Sequence, residues 1–430
     1  MPAEPAAPPA VRNEDSGSRR LRRIVTVLAL AAVVPALYLP GRVHDFFDLK
    51  IYMRAMEWWA SGRPLYDYVQ PDRVQGELYF TYPPFTALLL RPFALLPLGV
   101  TQAIFTVATV VGVVVTTRWL LLPLVERHGL PRVFTVTVGV LLVLSVESTR
   151  ETITFGQINM LLVVLILADL LFAVPRGSRW AGVGVGLATA LKLFPGLFIV
   201  YLLAARRWRA AAVASGAAAV ATLLAAAVAP GDSWRFWTHE LWSTERVGRT
   251  DYTGNQSLFG LLSRFTAPDR PSQVLWLALV AVVAGFGLWR AVRAARSGDH
   301  LTGLTLTGLV AALVSPITWT HHIYWFVPAV VVLVGAVLDA DRETAAGRRR
   351  RRWHLALTVG TWLLITYGVV TFQDWGVSPV RTDSPVDFLV RNMYVLLSVV
   401  LVAALPIRGT PRTASRGTPR TAHESDKSPE

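Results

Sequence analysis

The stretch HDFFDLKIY, His44 to Tyr52, places a histidine and two carboxylates directly after the first strongly apolar run of the chain. If the stretch is helical, Asp45, Asp48 and Tyr52 fall at positions i, i+3 and i+7 and share one face. Asp45 is placed equally well to cap that helix or to take part in chemistry. Asp48 would lie one turn inside the helix, where a side chain caps poorly and a carboxylate can accept a proton. Asp48 is therefore the first candidate for a general base.

Amide and imidazole side chains occupy two turns between apolar runs. The turn ESTRETITFGQINM contains Gln157 and Asn159, whose amides could hydrogen-bond a sugar, although joining neighbouring helices is the commoner role of such amides and is preferred here. The stretch SPITWTHHIYW contains the adjacent pair His321 and His322, flanked by Trp319. We interpret the pair as a ligand contact, with aromatic-belt packing as the alternative. Zinc is excluded because no third ligand follows at metal-site spacing.

Lys192, in the stretch LKLFPG, stands inside a long apolar segment. An ammonium group at membrane depth is costly unless a counter-charge meets it, so such a residue is a candidate for function. The counter-charge could be a protein carboxylate such as Asp169 or the phosphate of a lipid. Pro195 breaks the helix nearby, which disfavours simple snorkelling of the lysine to the membrane surface.

The composition is that of a membrane protein. The chain has 430 residues, of which 53% are hydrophobic and 16% charged, and its mean hydropathy is +0.45. Soluble domains carry about 25% charged residues. The net charge of +14 comes from arginines gathered at the edges of apolar runs, where they anchor topology and do not form a nucleic-acid surface. The chain has no cysteine, so disulfides, thiolate nucleophiles and cysteine-based metal sites are excluded.

Apolar runs long enough to cross a bilayer predict an all-α polytopic bundle with ten full spans. We place the spans at 24–40, 99–122, 133–146, 158–174, 210–229, 273–294, 301–317, 322–338, 353–372 and 387–405. Two further apolar segments, 83–97 and 180–204, contain proline and one cation each, Arg91 or Lys192. They are predicted to be broken or re-entrant. With the N-terminus inside, the arginine clusters of the loops all fall on the cytoplasmic side.

This topology divides the chain into three parts. Residues 1–23 are a cytoplasmic N-terminus predicted to be disordered, 24–406 form the membrane domain, and 407–430 are a basic, repetitive tail predicted to be disordered. The membrane domain sends three long polar segments outside, which are richer in Trp, Tyr, Asp and His than the cytoplasmic loops. They are 41–82, 230–257 and 373–386. The predicted location is the plasma membrane, with the site facing outside.

Five stretches, taken in order, resemble glycosyltransferase family 87, a family of actinobacterial membrane enzymes of the GT-C type. They are DLKIY followed by SGRPLYDY, YPPFTALLLRPFALLP, GQINMLLVVLILAD, LKLFPGLF and SPITWTHH, and they run from about Asp45 to His322. The resemblance implies a GT-C fold and an inverting transfer of a hexose, typically mannose, from polyprenyl-phosphate-mannose. The implied acceptor is a lipid-linked glycan outside the membrane, such as a phosphatidylinositol mannoside or a lipoglycan.

The resemblance also implies that an aspartate of the first outside segment is the base, which maps onto Asp48 and leaves Asp45 as the alternative. A departing phosphate is already anionic and needs cations and imidazoles more than it needs an acid. The residues expected to bind the donor phosphate are Lys192, His322, His321 and, as the next candidate, Arg91. Those expected to bind the sugar or the acceptor are Tyr52, Gln157, Asn159 and Trp319.

The expected partners are the polyprenyl-phosphate-sugar donor, the lipid-linked acceptor and membrane lipids, with no nucleic acid. No cofactor and no resident metal is predicted, and a divalent cation stays open. Two rival functions also stay open. One is an arabinofuranosyltransferase of the same family, and the other is a transporter or flippase for a lipid-linked sugar. The long, initially acidic first outside segment and the lack of a visible inverted repeat count against transport.

Overall fold

The computed structural model describes residues 20, 23–27, 30, 44–72, 76–243, 246, 248–368 and 382–409. The predicted N-terminal segment, the span 24–40 and the tail beyond 409 lie wholly or largely outside these residues, as does most of the outer segment 373–386. What is described is almost entirely helical, as the sequence predicts.

The α-helices are Phe47–Ala60, Pro84–Leu90, Leu98–His128, Arg132–Ser145, Glu147–Phe155, Asn159–Ala168, Val183–Leu191, Gly196–Ala204, Trp208–Val228, Pro230–Thr238, Leu258–Thr266, Gln273–Arg296, His300–Val314, Phe326–Leu338, Ala345–Tyr367, Pro385–Arg391 and Met393–Ala404. Short helical turns of other types are Leu65–Asp67, Arg91–Leu95, Asp169–Ala173, Glu240–Trp242 and Thr320–His322. Two strands, Val69–Asp72 and Gly76–Tyr79, pair antiparallel with Val69 opposite Tyr79.

Among the described residues, three helices are long and apolar enough to cross a bilayer: Leu98–His128, Trp208–Val228 and Gln273–Arg296. Two bent pairs would raise the number to five, namely Arg132–Ser145 with Glu147–Phe155 at 65° and Pro385–Arg391 with Met393–Ala404 at 71°. Exposed valines such as Val107 and Val220 cover the outside of the long helices, as a lipid-facing surface requires. The protein is therefore a helical membrane protein, but ten full crossings are not confirmed.

In both proline-containing segments the helix is interrupted, as we predicted from the prolines. The segment 180–204 forms two short helices, with Lys192 extended at the end of the first and Pro195 at the start of the second. The segment 83–97 passes from a short α-helix into a tighter turn at Arg91. The break at Lys192 brings irregular backbone to the wall of a cavity, where such backbone can be accommodated.

The hydrophobic core has two parts, one among the long apolar helices and one built mostly from residues 49–82, which were predicted to lie outside the membrane; we call the second part the outer core. The outer core is centred on Leu49, Met56, Tyr66 and Phe80. Met53 and Met56 are 5% and 0% exposed, so they pack inside the protein. The helix Phe47–Ala60 is thus a structural element of the outer core.

Gly156 fixes the turn that faces this helix. It has φ +73, in the left-handed region, and a Cβ there would lie 2.6 Å from Cβ of Leu49. The backbone N–H of Phe46 donates to the carbonyl of Thr154 at 2.7 Å in the same place. Glycine therefore lets the turn lie against the first turn of the helix, which places Gln157 beside Asp48.

Candidate active site

A cavity of about 820 Å³ opens where the outer segments meet the interrupted membrane helices. Its wall is built from the start of the helix Phe47–Ala60, the segment after the hairpin, the break at Lys192 and the turn between the helices His300–Val314 and Phe326–Leu338. Of the residues predicted for the site, those that line the cavity are Asp48, Tyr52, Gln157, Lys192, Trp319, His321 and His322. Side chains distant in sequence thus share one space.

Asp48 is the second residue of its helix and lies in the cavity wall. The side-chain amide of Gln157 donates to its Oδ2. Burial raises the pKa of Asp48 to about 6, against the lowering effects of the Gln157 hydrogen bond and of the nearby Lys192 ammonium. A carboxylate of this kind is ionised at neutral pH and basic enough to take a proton from a hydroxyl group.

Tyr52 and Tyr82 complete a hydrogen-bonded group around Gln157. The two tyrosine oxygens lie 2.8 Å apart, the Tyr82 hydroxyl donates to Oε1 of Gln157 at 3.0 Å, and Nε2 of Gln157 lies 2.9 Å from the Tyr52 hydroxyl oxygen. All three are buried. This group fixes the orientation of the amide, so the amide N–H and not the amide oxygen faces Asp48.

The Lys192 ammonium lies in the same network. It donates to the Tyr82 hydroxyl and to Oδ1 of Asn159, each at 3.2 Å, and its Nζ is 2.8 Å from Nε2 of His322. Asp169, a possible counter-charge from the sequence, instead accepts the backbone N–H groups of Gly182 and Val185. The carboxylate whose charge acts on the Lys192 ammonium is Asp48.

His322 presents a donor to the cavity. Its Nδ1 accepts the backbone N–H of Trp319 at 3.1 Å, which assigns the hydrogen of the neutral ring to Nε2. Nζ of Lys192 lies 2.8 Å from this Nε2, so in the structure the two nitrogens are in hydrogen-bonding contact with each other. An anionic oxygen bound between the two nitrogens, in place of their mutual contact, would accept from both.

His321 lies behind this pair. Its side chain is 5% exposed, and neither ring nitrogen has a hydrogen-bond partner among the described residues. Nδ1 is 3.9 Å from a carboxylate oxygen of Glu151, to which Thr320 also donates. The Asn159 amide donates to the His321 carbonyl at 3.1 Å, so Asn159 links this turn to Lys192.

Three predicted residues do not line the cavity: Asn159 hydrogen-bonds to Lys192, and the other two lie elsewhere. Asp45 precedes the helix in a left-handed conformation, its side chain is 79% exposed, and it pairs with Lys50 at 2.5 Å. The Arg91 guanidinium stacks over the Trp59 ring at 4.7 Å. Neither lines the cavity. Asp48, unlike Asp45, has the position that proton transfer inside the cavity requires.

Sequence reasoning missed Tyr82, which touches both Gln157 and Lys192. It lies in the quoted stretch YPPFTALLLRPFALLP, but no charged neighbour in sequence marks its hydroxyl. Sequence reasoning also missed Tyr79, Glu240 and Arg246, which line the outer part of the cavity. The sequence distinguished them only by their position in the polar segments predicted to lie outside the membrane.

The donor set of the described residues does not favour a metal ion. Nowhere in these ranges do three or more His, Asp or Glu side chains converge as a metal site requires. Around Asp48 and Lys192 the cavity instead offers one carboxylate and one ammonium with imidazoles beside it, which suits proton transfer and anion binding.

Comparison with known proteins identifies relatives. The profile of glycosyltransferase family 87 matches residues 80–316, more than half of the chain. A polyprenol-phosphate-mannose-dependent alpha-(1-2)-phosphatidylinositol mannoside mannosyltransferase of Mycobacterium tuberculosis is 34% identical over 344 residues, which cover 75% of this chain and 79% of that protein. The protein of the same description from Mycolicibacterium smegmatis is 31% identical over 429 residues, 94% of this chain and 93% of its own length.

A more distant relative is named for a different activity. An alpha-(1->3)-arabinofuranosyltransferase of Mycobacterium tuberculosis is 30% identical over 290 residues, which cover 64% of this chain and 61% of that protein. The match to the mannosyltransferases is longer on both chains.

Proposed function

Because the chain belongs to glycosyltransferase family 87, we propose that this membrane glycosyltransferase transfers mannose from a polyprenyl phosphate to a lipid-linked mannoglycan such as a phosphatidylinositol mannoside. The observation that carries the proposal is one cavity lined by a carboxylate, Asp48, and by a lysine–imidazole pair, Lys192 and His322. These are the groups that sugar transfer from a phosphate requires.

The donor phosphate binds between Lys192 and His322. Their nitrogens contact each other at 2.8 Å, and a phosphate oxygen that replaces this contact accepts an N–H from each. The cavity wall beside them is apolar and includes Phe194, Leu197 and Ala311. These residues lie on the helices Gly196–Ala204 and His300–Val314 and in the break that precedes the first of them. A polyprenyl chain attached to the phosphate can therefore extend along this wall toward the bilayer.

Asp48 is the general base. Its carboxylate takes the proton from the acceptor hydroxyl as that oxygen bonds to the anomeric carbon of the donor. The bond from the anomeric carbon to the phosphate oxygen breaks, and polyprenyl phosphate leaves with the electron pair, stabilised by Lys192 and His322. This is one displacement, which inverts the anomeric configuration and needs a single carboxylate and not a pair. His321 and Trp319 complete the wall around the donor sugar, and Tyr52, Gln157 and Asn159 hold Asp48 and Lys192 in place.

The proposed architecture is a GT-C bundle with ten crossings of the plasma membrane and a site on its outer face. Support comes from the helix Trp208–Val228, which Arg206 and Arg207 precede and which leads into the cavity-lining segment 236–246. Arginine is retained on the cytoplasmic side. The opposite end of the helix, and with it the cavity, then faces outside.

The test is a transfer assay with purified protein in detergent, given labelled polyprenyl-phosphate-mannose and a phosphatidylinositol mannoside. We expect the acceptor to gain one labelled hexose with inverted configuration. Transfer from a polyprenyl-phosphate pentofuranose and not from the mannose donor would establish the arabinofuranosyltransferase. No product in detergent, combined with movement of the intact donor across sealed vesicles, would establish the transporter.

A further inference from the structure

The outer part of the cavity carries a second group of polar and aromatic side chains, away from Asp48 and Lys192. Its members come from the hairpin and from the segment that follows the helix Pro230–Thr238. They are Asp72, Tyr79, Glu240, Ser243, Arg246 and Tyr252. We call this group the outer subsite.

Arg246 is the fixed centre of the outer subsite. Its Nε lies 2.7 Å from a carboxylate oxygen of Glu240, and its Nη2 donates to the Tyr66 carbonyl at 2.7 Å. The guanidinium lies 4.1 Å over the Tyr79 ring. The Glu240 side chain is 3% exposed, and its other carboxylate oxygen lies 2.6 Å from Nε of Arg235. The Glu240 carboxylate therefore pairs with two guanidinium groups. Such a preorganised arginine loses little freedom when it binds a ligand.

We propose that the outer subsite binds the glycan headgroup of the lipid-linked acceptor, through hydrogen bonds from Arg246 to sugar hydroxyls and apolar contact with Tyr79. This inference rests on the proposed function and names the substrate that the outer part of the site takes. A guanidinium fork donates to two neighbouring hydroxyl oxygens at once. A tyrosine ring supplies a flat apolar face that packs against the C–H face of a pyranose.

With its phosphate at Lys192 and its lipid chain on the apolar wall, the donor leaves the outer subsite to the second substrate. The donor's lipid chain lies along the apolar wall of Phe194, Leu197 and Ala311, and the outer subsite is built from the outer segments alone. Aromatic contacts join the surroundings of Asp48 to the outer subsite. The ring centroids of Tyr52 and Phe80 are 6.3 Å apart, and those of Phe80 and Tyr66 are 6.2 Å apart. An attacking hydroxyl must approach the anomeric carbon opposite the departing phosphate. The outer subsite therefore takes the acceptor.

Binding of a phosphatidylinositol mannoside to the full chain in lipid nanodiscs, without donor, tests the inference independently of transfer. We expect Arg246→Gln to raise the Kd about tenfold to a hundredfold, the range for a lost hydrogen bond to a charged group. Tyr79→Ala is expected to act in the same direction, whereas Tyr79→Phe keeps the ring and retains affinity. Arg63→Gln is the matched control, because Arg63 lies on an outer segment, stacks on Trp58 and is not part of the cavity wall.

Steady-state kinetics separate the subsites. In Arg246→Gln the acceptor KM should rise by more than the donor KM. An unchanged Kd for the mannoside in Arg246→Gln and Tyr79→Ala, in protein that elutes and melts like wild type, contradicts the inference. A wild type that binds the mannoside at the outer subsite but transfers nothing contradicts the proposed function and leaves the subsite intact.

Discussion

Asp48 is the residue on which the chemistry depends, and Asp48→Asn tests it. The substitution keeps the shape of the side chain and removes only its basicity. We expect the transfer rate to fall about a hundredfold to ten-thousandfold, the usual contribution of a positioned base. The variant should still insert, purify and melt normally. The measurement is kcat with saturating donor and acceptor.

Asp45→Asn is the paired control for this result, since Asp45 is exposed, binds Lys50 and lies outside the cavity. We expect Asp45→Asn to transfer at nearly the wild-type rate. Normal turnover in Asp48→Asn together with an inactive Asp45→Asn would move the base to Asp45.

The pH profile of kcat/KM should report the ionisation of Asp48. The pKa of Asp48 is raised from 3.8 to about 6, so the carboxylate is protonated below that pH and cannot accept the acceptor proton. Activity should therefore rise with pH through about 6. Because the hydrogen bond from Gln157 lowers this pKa, Gln157→Leu should move the acid limb to higher pH. An acid limb that stays in place in Gln157→Leu would assign it to another group.

Lys192→Met tests the donor-phosphate contact. Removing one such contact should cost on the order of 2 to 4 kcal/mol in the transition state and raise the donor KM. The matched control is Lys192→Arg, which keeps the charge and should retain part of the activity. A donor titration with labelled polyprenyl-phosphate-mannose gives both parameters. Normal donor affinity and turnover in Lys192→Met would place the phosphate elsewhere.

At the scale of an element, the turn at Gly156 decides whether Gln157 reaches Asp48. Gly156→Ala adds a Cβ at φ +73 and 2.6 Å from Leu49, so the turn and the helix Phe47–Ala60 must separate. The left-handed conformation alone costs roughly 1–2 kcal/mol for a residue with a Cβ. We expect a lower Tm in detergent and a lower kcat.

Gly62→Ala is the matched control for Gly156→Ala. Gly62 has φ +84, but a Cβ there meets nothing within 4 Å. It should therefore lose a similar amount of stability from backbone strain and keep its kcat. Equal kcat values for the two alanine variants would show that the turn does not position Gln157.

The elements show what the sequence could and could not predict. Hydropathy and proline placed the helices and the break at Lys192, because both depend on local composition. The helix near Asp45 starts two residues later than its polar face suggested, since tertiary contacts of Phe46 and Gly156 set that start. Tyr82 and Arg246 were missed because their partners are remote in sequence. No periodicity in the sequence indicates that the Tyr82 hydroxyl accepts a hydrogen bond from a lysine 110 positions away.

At the scale of the whole molecule, the orientation in the membrane decides which substrates reach the cavity. The helix Trp208–Val228 has arginines at its start and is followed by the cavity-lining residues Phe236 and Glu240, and the helix Ala345–Tyr367 begins with the run Arg348 to Arg352. Arginines of this kind are retained in the cytoplasm. The cavity should therefore open on the opposite side of the membrane, where both the donor and the lipid-linked acceptor would have to be present.

Single cysteines test this orientation in intact cells, and the chain has no cysteine of its own to interfere. Ser61→Cys lies on the outer segment that follows the helix Phe47–Ala60, and Glu343→Cys lies in the exposed loop before the arginine run. We expect a membrane-impermeant thiol reagent to label Ser61→Cys in intact cells and Glu343→Cys only after lysis. Both variants should label fully in detergent, which controls for accessibility. The reverse pattern would place Asp48 and the whole cavity in the cytoplasm, and the acceptor would then have to be a glycan of the inner leaflet.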